Sequence, residues 1–171
     1  MVDADGHSLP AGESGSLLVR GASLFGGYLK RPQLNATSAD GWFDTGDVAT
    51  IDADGFMQIT DRSKDVIKSG GEWISSIDVE NIAMGHPAVA MAACIGMPHP
   101  KWDERPIAVV ALKPDAQLTR EELLAFYEGK LAKWQIPDDV VFVDAIPLGA
   151  TGKMLKIKVR QMLGDYKLPD L

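Results

Sequence analysis

The sequence predicts an α+β fold, in which a small layered domain follows a β-rich segment. Residues 1–60 contain short apolar runs between turn residues, whereas residues 66–171 alternate helical stripes with apolar runs of strand length. Four of the five residues at 61–65 are charged. The charge balance changes at the same place, with eight acidic and three basic side chains before it and sixteen and fourteen from there on. We therefore expect a domain boundary, with residues 61–65 as a hinge.

The composition is that of a globular protein, with 46% hydrophobic and 24% charged residues in 171. No apolar run approaches the ~18 residues that span a bilayer, so we expect no transmembrane segment. The first residues lack the pattern of an export signal, and the single cysteine, Cys94, lies in an apolar run. These features favour a cytoplasmic location. The net charge of −7 argues against a nucleic-acid binder.

The β-rich segment at residues 1–60 is expected to contain three short strands. The first covers residues 17–20, and two more, at 48–51 and 56–59, form a hairpin around Asp-Ala-Asp-Gly. A turn is expected at residues 44–47. A short helix could open at Pro32 and run to Ala36, since proline suits a first helical turn. Little here could bury a complete core, so the segment looks like the end of something larger.

Residues 61–74 join a charged stretch to a tight hairpin. Gly70 and Gly71 form the turn, because paired glycines accept a positive φ without steric cost. Ile67 and Trp73 belong to its short apolar arms. Basic side chains cluster close to this turn: Arg62, Lys64 and Lys68. We interpret the stretch as a hinge with basic groups for a phosphate-bearing ligand, although a solvated charged loop is an equally good reading of the composition.

The rest of the chain predicts helices and buried strands in alternation. A helix begins at Ser75, a capping residue, and ends before Gly85. The remaining expected elements are strands at 89–97, broken by residues 98–100, and at 107–112, a helix at 118–131 with Thr119 as its cap, a strand at 140–143 and a helix at 157–163. The result is a hairpin plus a three-stranded sheet with helices.

Two further stretches carry candidate chemistry. In residues 44–47, Asp-Thr-Gly-Asp, an aspartate could accept bonds from adjacent hydroxyls such as those of a ribose, but a plain turn is the stronger reading of the tetrapeptide alone. In residues 147–153, Lys153 on a Gly- and Thr-rich loop could neutralise charge on a carboxylate or phosphoryl oxygen. This is not a P-loop, because Met154 follows the lysine. The alternative is an exposed lysine in a basic tail.

The histidines predict neither metal nor nucleophilic chemistry. His7, His86 and His99 have no Cys, Asp or Glu at metal-ligand spacing, so no metal site is expected. No Ser-His-Asp or Cys-His arrangement is defensible. We expect all three side chains to be structural or on the surface.

Together these stretches resemble the C-terminal part of the adenylate-forming acyl-CoA synthetases, the superfamily that includes luciferases and peptide-synthetase adenylation domains. The similar segments are residues 15–37, the Gly-Trp-Phe-Asp-Thr-Gly-Asp at 41–47, the hinge stretch at 61–74 and the lysine loop at 147–153. They follow the family's order and cover nearly the whole chain. The hinge stretch, with Pro-His-Pro-Lys-Trp-x-Glu-Arg-Pro at 98–106, is most similar to medium- and long-chain fatty acid members.

The resemblance implies a two-step ligase that uses ATP, Mg²⁺ and CoA, and a fatty or other carboxylic acid. A carboxylate and ATP give an acyl-adenylate and pyrophosphate, and then a small lid domain rotates so that CoA forms the thioester. By position, Asp47 and Arg62 would bind the nucleotide, Lys64 would be the hinge pivot, and Lys153 would be catalytic in adenylation. Catalytic Lys68, with Gly70 and Gly71 facing the pantetheine arm, would serve the thioester step.

The lysine loop departs from the family pattern at Leu148 and Gly149, where relatives carry Arg or Lys and then Thr. Its Pro-x4-Gly-Lys sequence is similar to sites that bacterial acetyltransferases modify, so a lysine acetyltransferase is a further expected partner. We expect acylation of Lys153 to abolish adenylation, because it removes the charge.

The family's Ser/Thr/Gly-rich phosphate loop and acyl pocket belong to a large N-terminal domain that this sequence lacks. Residues 1–60 resemble the β-rich end of that domain, residues 61–65 its hinge, and residues 66–171 the C-terminal lid. The expected partner is therefore the missing N-terminal domain, and the chain alone is expected to be inactive. Two alternatives stay open: an adenylation domain that loads a carrier protein, and a stand-alone module that binds nucleotide or a partner without catalysis.

Overall fold

The computed structural model describes residues 1–30, 37–164 and 166–169. The chain divides into two compact units, residues 1–64 and residues 65–171. The short helix expected after Pro32 lies outside the described residues. Among the described residues, no helix has the length and apolar character needed to cross a membrane.

Unit 1 is built on a three-stranded antiparallel sheet in the order β1–β2–β3. Its strands are β1 (Ser14–Val19), β2 (Phe43–Ile51) and β3 (Met57–Arg62). The predicted hairpin is confirmed, and Asp52 closes its turn, since its Oδ1 accepts the backbone N–H groups of Asp54 at 3.0 Å and Phe56 at 2.8 Å.

The turn expected at residues 44–47 is wrong as a chain reversal, because these residues lie inside β2. Asp44 pairs with Leu18 of β1 and Asp47 pairs with Arg62 of β3. Ladder pairing to strands on both sides outweighed the local preference of Asp-Thr-Gly-Asp for a turn. The register shifts between Val48 and Ala49 where β2 meets β3. Such an irregularity re-aims the side chains next to it.

Unit 2 contains a five-stranded sheet with β7 at its centre. The strands are β4 (Ile67–Ser69), β5 (Glu72–Ile74), β6 (Val89–His99), β7 (Asp103–Leu112) and β8 (Asp139–Phe142). β6 runs antiparallel along one side of β7, whereas β4 and the parallel β8 share the other side. The hairpin joins the sheet where Ser69 pairs with Asp103, so the predicted hairpin and three strands form one sheet.

The break expected at residues 98–100 is wrong for its first two positions, because β6 continues through Pro98 to His99. Pro98 pairs with Glu104 across the β6–β7 ladder. β6 is an edge strand of the sheet, where a missing backbone N–H is tolerated.

The described part of unit 2 also contains three α-helices, α1 (Ser76–Met84), α2 (Arg120–Tyr127) and α3 (Lys156–Met162), and a short 3-10 helix at Lys133–Gln135. The predicted caps are confirmed, since Ser75 Oγ accepts the backbone N–H of Asp78 at 3.1 Å and Thr119 forms a capping box with Glu122. α2 ends four residues before the expected position. Gly129 stands at φ +73°, a left-handed conformation that terminates helices.

Helices cover both faces of the unit 2 sheet, because successive residues of β6 and β7 point to opposite faces. Ala92 and Cys94 enter one core cluster with residues of α1 and α2, whereas Ala93 and Ile95 enter a second cluster with Val159 of α3. The expectation of a strand buried on both faces is therefore confirmed for residues 92–95, each at most 2% exposed.

Candidate functional site

In unit 1, Asp47 and Arg62 form an ion pair across neighbouring strands. Arg62 Nε lies 3.0 Å from Asp47 Oδ1, with side-chain exposures of 57% and 17%. The register of β2 and β3 places the two residues directly opposite each other. A half-buried carboxylate beside an exposed guanidinium offers an acceptor for hydroxyl groups next to a donor fork for phosphate oxygens.

The backbone around this pair is fixed by short-range hydrogen bonds. Asp44 Oδ1 accepts the N–H of Gly46 at 2.8 Å, and Gly46 stands at φ +71°. Thr45 Oγ1 donates to the carbonyl of Leu17 at 3.0 Å and accepts the N–H of Asp47 at 3.1 Å. Asp47 is therefore held by β1 as well as β3, which suits a preorganised binding group.

The expected hinge at residues 61–65 spans the end of unit 1 and the start of unit 2. Asp61 is buried and its Oδ1 accepts the N–H of Arg62 at 2.7 Å. Lys64, the last residue of unit 1, is exposed. Asp65, the first of unit 2, is buried and lies 2.9 Å from Arg160 Nη1 of α3. Buried carboxylates thus stand at both ends of the stretch, with the exposed Lys64 between them.

In unit 2, the β4–β5 hairpin presents both candidate glycines at a two-residue turn. Gly70 and Gly71 have φ of +61° and +90°, as turns of the primed types require. Their surroundings differ. A Cβ on Gly70 would lie 2.9 Å from the ring of Trp102, whereas a Cβ on Gly71 would meet nothing within 4 Å. Backbone conformation therefore favours glycine at both positions, and the packing of Trp102 favours it at Gly70 as well.

Lys68 lies on the outer side of the same hairpin. Its side chain is exposed, and its backbone N–H donates to Glu104 Oε2 at 2.9 Å. Opposite it in the ladder stands Trp73. The hairpin therefore carries a solvent-facing ammonium two residues before its glycine turn.

A groove of about 750 Å³ adjoins the glycine turn. Its walls include Gly70, Glu72, Lys101, Trp102, Trp134 and Asp138. Trp102 and Trp134 are each 42% exposed, and the Lys101 ammonium lies 4.5 Å from the Trp102 ring centroid. Exposed tryptophans in a concave surface, with one cation beside them, suit a ligand that carries both apolar and anionic groups.

Arg105 links the segments that form the walls of the groove. Arg105 Nε and Nη2 grip the Asp138 carboxylate, with Nη2 to Oδ1 at 2.6 Å, and the two side chains are 11% and 10% exposed. The guanidinium also donates to Ser69 Oγ at 3.0 Å, to the carbonyl of Trp134 at 2.7 Å and to that of Ile136 at 3.3 Å. It thereby ties the hairpin to the segment that carries Trp134.

Lys153 stands on a separate loop of unit 2. Leu148 and Met154 form an isolated antiparallel β-bridge, and the Gly149 N–H donates to the carbonyl of Lys153 at 2.8 Å. Gly152 stands at φ +76° and makes the tip possible. The side chain of Lys153 is exposed. The loop is small and closed by backbone bonds, and it displays its lysine to solvent.

The structure brings some predicted residues together and leaves others apart. Asp47 pairs with Arg62 in unit 1, and Lys68 shares a hairpin with both glycines in unit 2. Sequence reasoning missed the roles of Trp102, Trp134 and Arg105. The available signal was tryptophan, a large apolar residue, within turn-forming segments, but nothing local indicated that these segments adjoin the hairpin.

A further grouping lies in the N-terminal turn of unit 1. Ligand atoms of Asp3, Asp5 and His7 lie within 4.8 Å of one another. Backbone N–H bonds from His7 and Asp5 lower the pKa of the Asp3 carboxyl, and His7 Nδ1 lies 3.2 Å from Asp3 Oδ2. A tight turn closed on its own aspartate accounts for this geometry.

Comparison with known proteins relates the chain to one enzyme superfamily. The sequence profile described as "AMP-binding enzyme C-terminal domain" matches residues 78–153. A 3-methylmercaptopropionyl-CoA ligase of Ruegeria pomeroyi is 56% identical over 96% of this chain and 31% of its own length. A medium-chain-fatty-acid–CoA ligase of Ectopseudomonas oleovorans is 47% identical over 98% of this chain and 31% of its own. A long-chain-fatty-acid–CoA ligase of Thermus thermophilus is 44% identical.

Solved structures show the same relationship. ATP-bound MatB from Rhodopseudomonas palustris superposes with a TM-score of 0.86 at 33% identity, covering 97% of this chain and 34% of that one. The o-succinylbenzoate CoA synthetase of Bacillus subtilis, in complex with its acyl-adenylate intermediate, superposes with a TM-score of 0.82 at 33% identity, covering 99% and 34%. The chain thus spans about a third of the length of the proteins that it matches.

Proposed function

We infer the function from the family: the chain belongs, through residues 78–153, to the AMP-binding enzyme C-terminal domains, and its relatives are acyl-CoA ligases. We propose that it serves the two half-reactions of an ATP-dependent acid–thiol ligase. In the first, a carboxylate oxygen attacks the α-phosphorus of ATP, giving acyl-adenylate and releasing pyrophosphate. In the second, the CoA sulfur attacks the acyl carbon, and AMP leaves with the electron pair of the bond between the acyl carbon and its oxygen. The observation that carries the proposal is the pairing of this family match with an exposed Lys153 on a closed loop.

Asp47 and Arg62 are proposed to bind the nucleotide. The carboxylate would accept hydrogen bonds from the two ribose hydroxyls, and the exposed guanidinium beside it would contact ribose or phosphate oxygens. Their 3.0 Å ion pair supports this, because it keeps both groups in place before the ligand arrives.

Lys153 is proposed to act in adenylation. Negative charge builds on the α-phosphate oxygens as the carboxylate attacks, and an ammonium aimed at these oxygens stabilises the transition state. An exposed side chain on a closed loop suits a group that enters a site formed by other residues. Acylation of Lys153 would remove the charge, so an acetyltransferase partner would act here as an inhibitor.

The glycine hairpin is proposed to act in thioester formation. Gly71 leaves open space where a pantetheine arm could pass, and Lys68 supplies a cation two residues before the turn. The adjoining groove suits the remainder of CoA, which carries an adenine, apolar segments and phosphates. Lys64 is proposed as the pivot that lets one domain serve both steps. The relatives' names favour CoA over a carrier protein as acceptor.

The carboxylate is proposed to be a fatty acid, as the relatives from Ectopseudomonas oleovorans and Thermus thermophilus act on medium- and long-chain fatty acids by name. A second candidate is 3-methylmercaptopropionate, a short thioether acid, which the 56% identical relative favours. Assays with acids of increasing chain length, each with and without a thioether sulfur, separate the two candidates.

Magnesium, which the sequence resemblance implies, is proposed to bind through the ATP phosphates. Among the described residues the one grouping of metal-ligating side chains is the exposed Asp3–Asp5–His7 turn, which its internal bonds explain.

The test separates the half-reactions in a full-length ligase that contains this region. Lys153→Ala is expected to lower ATP–pyrophosphate exchange by about 100-fold, since single preorganised charges contribute about 10²–10³ in rate. The same variant should still convert supplied acyl-adenylate and CoA to thioester at the parent rate. Lys158→Ala, an exposed lysine on α3, is the matched control. Exchange at the parent rate in Lys153→Ala would contradict the proposal.

The second test concerns the partner domain. We propose that residues 1–171 need the N-terminal portion that relatives carry, so the purified chain should show no carboxylate-dependent ATP–pyrophosphate exchange, and adding that portion in trans should restore it. Exchange by the purified chain alone would overturn this part.

A further inference from the structure

A buried ion pair lies immediately beside the lysine loop. The loop closes where the Leu155 N–H donates to the carbonyl of Pro147 at 2.9 Å, and the next residue, Lys156, begins α3. Lys156 Nζ lies 2.8 Å from Glu80 Oε1, and the two side chains are 12% and 13% exposed. The same ammonium donates to Ser76 Oγ, a fully buried hydroxyl.

This ion pair connects helices on opposite faces of the sheet. α1 packs on the core cluster that contains Ala92 and Cys94, and α3 packs on the cluster that contains Ala93 and Ile95. The connection passes the edge strand β6, where Glu80 Oε1 also accepts the backbone N–H of Cys94 at 2.8 Å. One carboxylate therefore covers the strand edge and holds the lysine of the other helix.

The energetics of such a pair favour a positional role. Removing two charges from water costs about as much as their attraction returns, so a buried ion pair contributes little net stability compared with apolar residues of the same size. It does impose one geometry, because the ammonium has to meet the carboxylate and the hydroxyl together. A contact of this kind is suited to fixing where α3 begins.

The position of α3 determines the position of the lysine loop. Lys153 lies three residues before Lys156, and the loop between Pro147 and Leu155 is closed by its own backbone bonds. Such a loop moves as a unit with its base. Ile146 enters the second core cluster on the other side of the base, so Lys156 and Ile146 hold its two ends.

We propose that Lys156 is a positioning residue for Lys153: its ion pair with Glu80 sets the aim of the loop that carries the catalytic ammonium. The inference rests on the proposed function of Lys153 in adenylation. It assigns to Lys156 no contact with substrate. Ser76 also begins α1, directly after the glycine hairpin, so the same contact ties the lysine loop to the element that carries Gly70 and Gly71.

The experiment compares four variants of a full-length ligase that contains this region. Lys156→Met keeps the length and apolar stem of the side chain but removes its charge. The double variant Lys156→Met with Glu80→Gln also neutralises the carboxylate, so that folding is preserved even if the single variant is unstable. Lys156→Arg keeps a cation, and Lys158→Met is the matched control on an exposed position of α3.

The double variant is expected to melt close to the parent temperature yet to lose adenylation rate by about tenfold or more, because displacement of a reacting group by about 1 Å costs up to about 100-fold. Its KM for ATP and its rate of thioester formation from supplied acyl-adenylate should stay at parent values. Lys156→Arg should recover most of the lost rate, and Lys158→Met should lose none. Parent-level adenylation in the double variant, or an equal loss in both half-reactions, overturns the proposal.

A second readout is independent of catalysis. The native protein is digested with trypsin, and mass spectrometry follows cleavage of the bond after Lys153. This cleavage should be about tenfold faster in the double variant, because the loop loses one of its two anchors. An unchanged cleavage rate overturns the inference. If Lys153→Ala leaves adenylation intact, the proposed function fails, while this cleavage rate still decides whether Lys156 fixes the loop.

Discussion

At the scale of single residues, two adjacent glycines are needed for different reasons. Both have a positive φ, but only Gly70 lies against another side chain, with Trp102 2.9 Å from where its Cβ would be. The Gly70 N–H also donates to the carbonyl of Trp102 at 2.9 Å. Gly70 therefore holds the tryptophan at the groove, and Gly71 keeps the space beyond the turn open.

Alanine substitutions should separate these roles. Gly71→Ala is expected to lower the free energy of unfolding by about 1–2 kcal/mol, the cost of left-handed backbone for a residue with a Cβ. Gly70→Ala should cost about 1–3 kcal/mol more, because the ring of Trp102 has to shift. Urea denaturation of the chain measures both. A double-mutant cycle with Trp102→Ala is the control, and a coupling energy near zero would contradict the contact.

At the scale of elements, capping interactions determine where the helices begin. Thr119 Oγ1 accepts the N–H of Glu122 at 3.2 Å, and Glu122 Oε2 accepts the N–H of Thr119 at 2.8 Å. The hydrogen bonds that the Glu122 carboxylate accepts from the backbone N–H and the hydroxyl of Thr119 lower the pKa of this carboxyl. Because the folded state lowers this pKa, the contribution of Glu122 to stability is present above the carboxyl's ordinary pKa and is lost as pH falls through the folded value.

The pH dependence of stability should show this cap. Glu122→Gln is expected to be less stable than the parent at pH 7, and the difference should shrink toward zero as pH falls through the lowered pKa of the folded state, because the parent carboxyl then takes up its proton. Thermal melts of both proteins across pH 3–7 measure it. Glu121→Gln controls for the loss of a negative charge in the first turn of α2. A difference that stays constant with pH would refute the assignment.

At the scale of the whole of unit 2, distant segments are joined by charged side chains. Arg105 links Ser69, 36 residues earlier, to Asp138, 33 residues later. On another side, the OH of Tyr166 donates to Asp139, and burial together with this bond raises the pKa of the tyrosine to about 12. Each of these contacts places a loop against the sheet, and the Arg105 network shapes the groove.

Removal of Arg105 should open the groove and destabilise unit 2. Arg105→Leu is expected to cost about 3–5 kcal/mol, because it leaves the largely buried Asp138 carboxylate without its guanidinium. The double variant Arg105→Leu with Asp138→Leu should recover a large part of that loss. Chemical denaturation measures the stabilities. The state of the groove is followed by the change in Trp102 and Trp134 fluorescence on ligand addition, which the variant should lose. A double variant no more stable than the single one would contradict a buried ion pair.

The sequence by itself determined the local elements and most of the candidate residues. Helix caps at Ser75 and Thr119, the glycine turn and the doubly buried strand depend on residues within a few positions of each other, so local patterns predict them. The family resemblance, borne out by the comparisons, supplied Asp47, Arg62 and Lys153 as candidates, whose roles stay predictions.

Only the tertiary structure decided which of these residues meet, and which others support them. Asp44–Asp47 became strand because two neighbouring strands pair with it, and the ladder register set Asp47 against Arg62. Trp102 against Gly70 and Lys156 against Glu80 join residues 32 and 76 positions apart. Such contacts depend on strand order and on which face each helix covers, and neither is encoded in any short stretch of the chain.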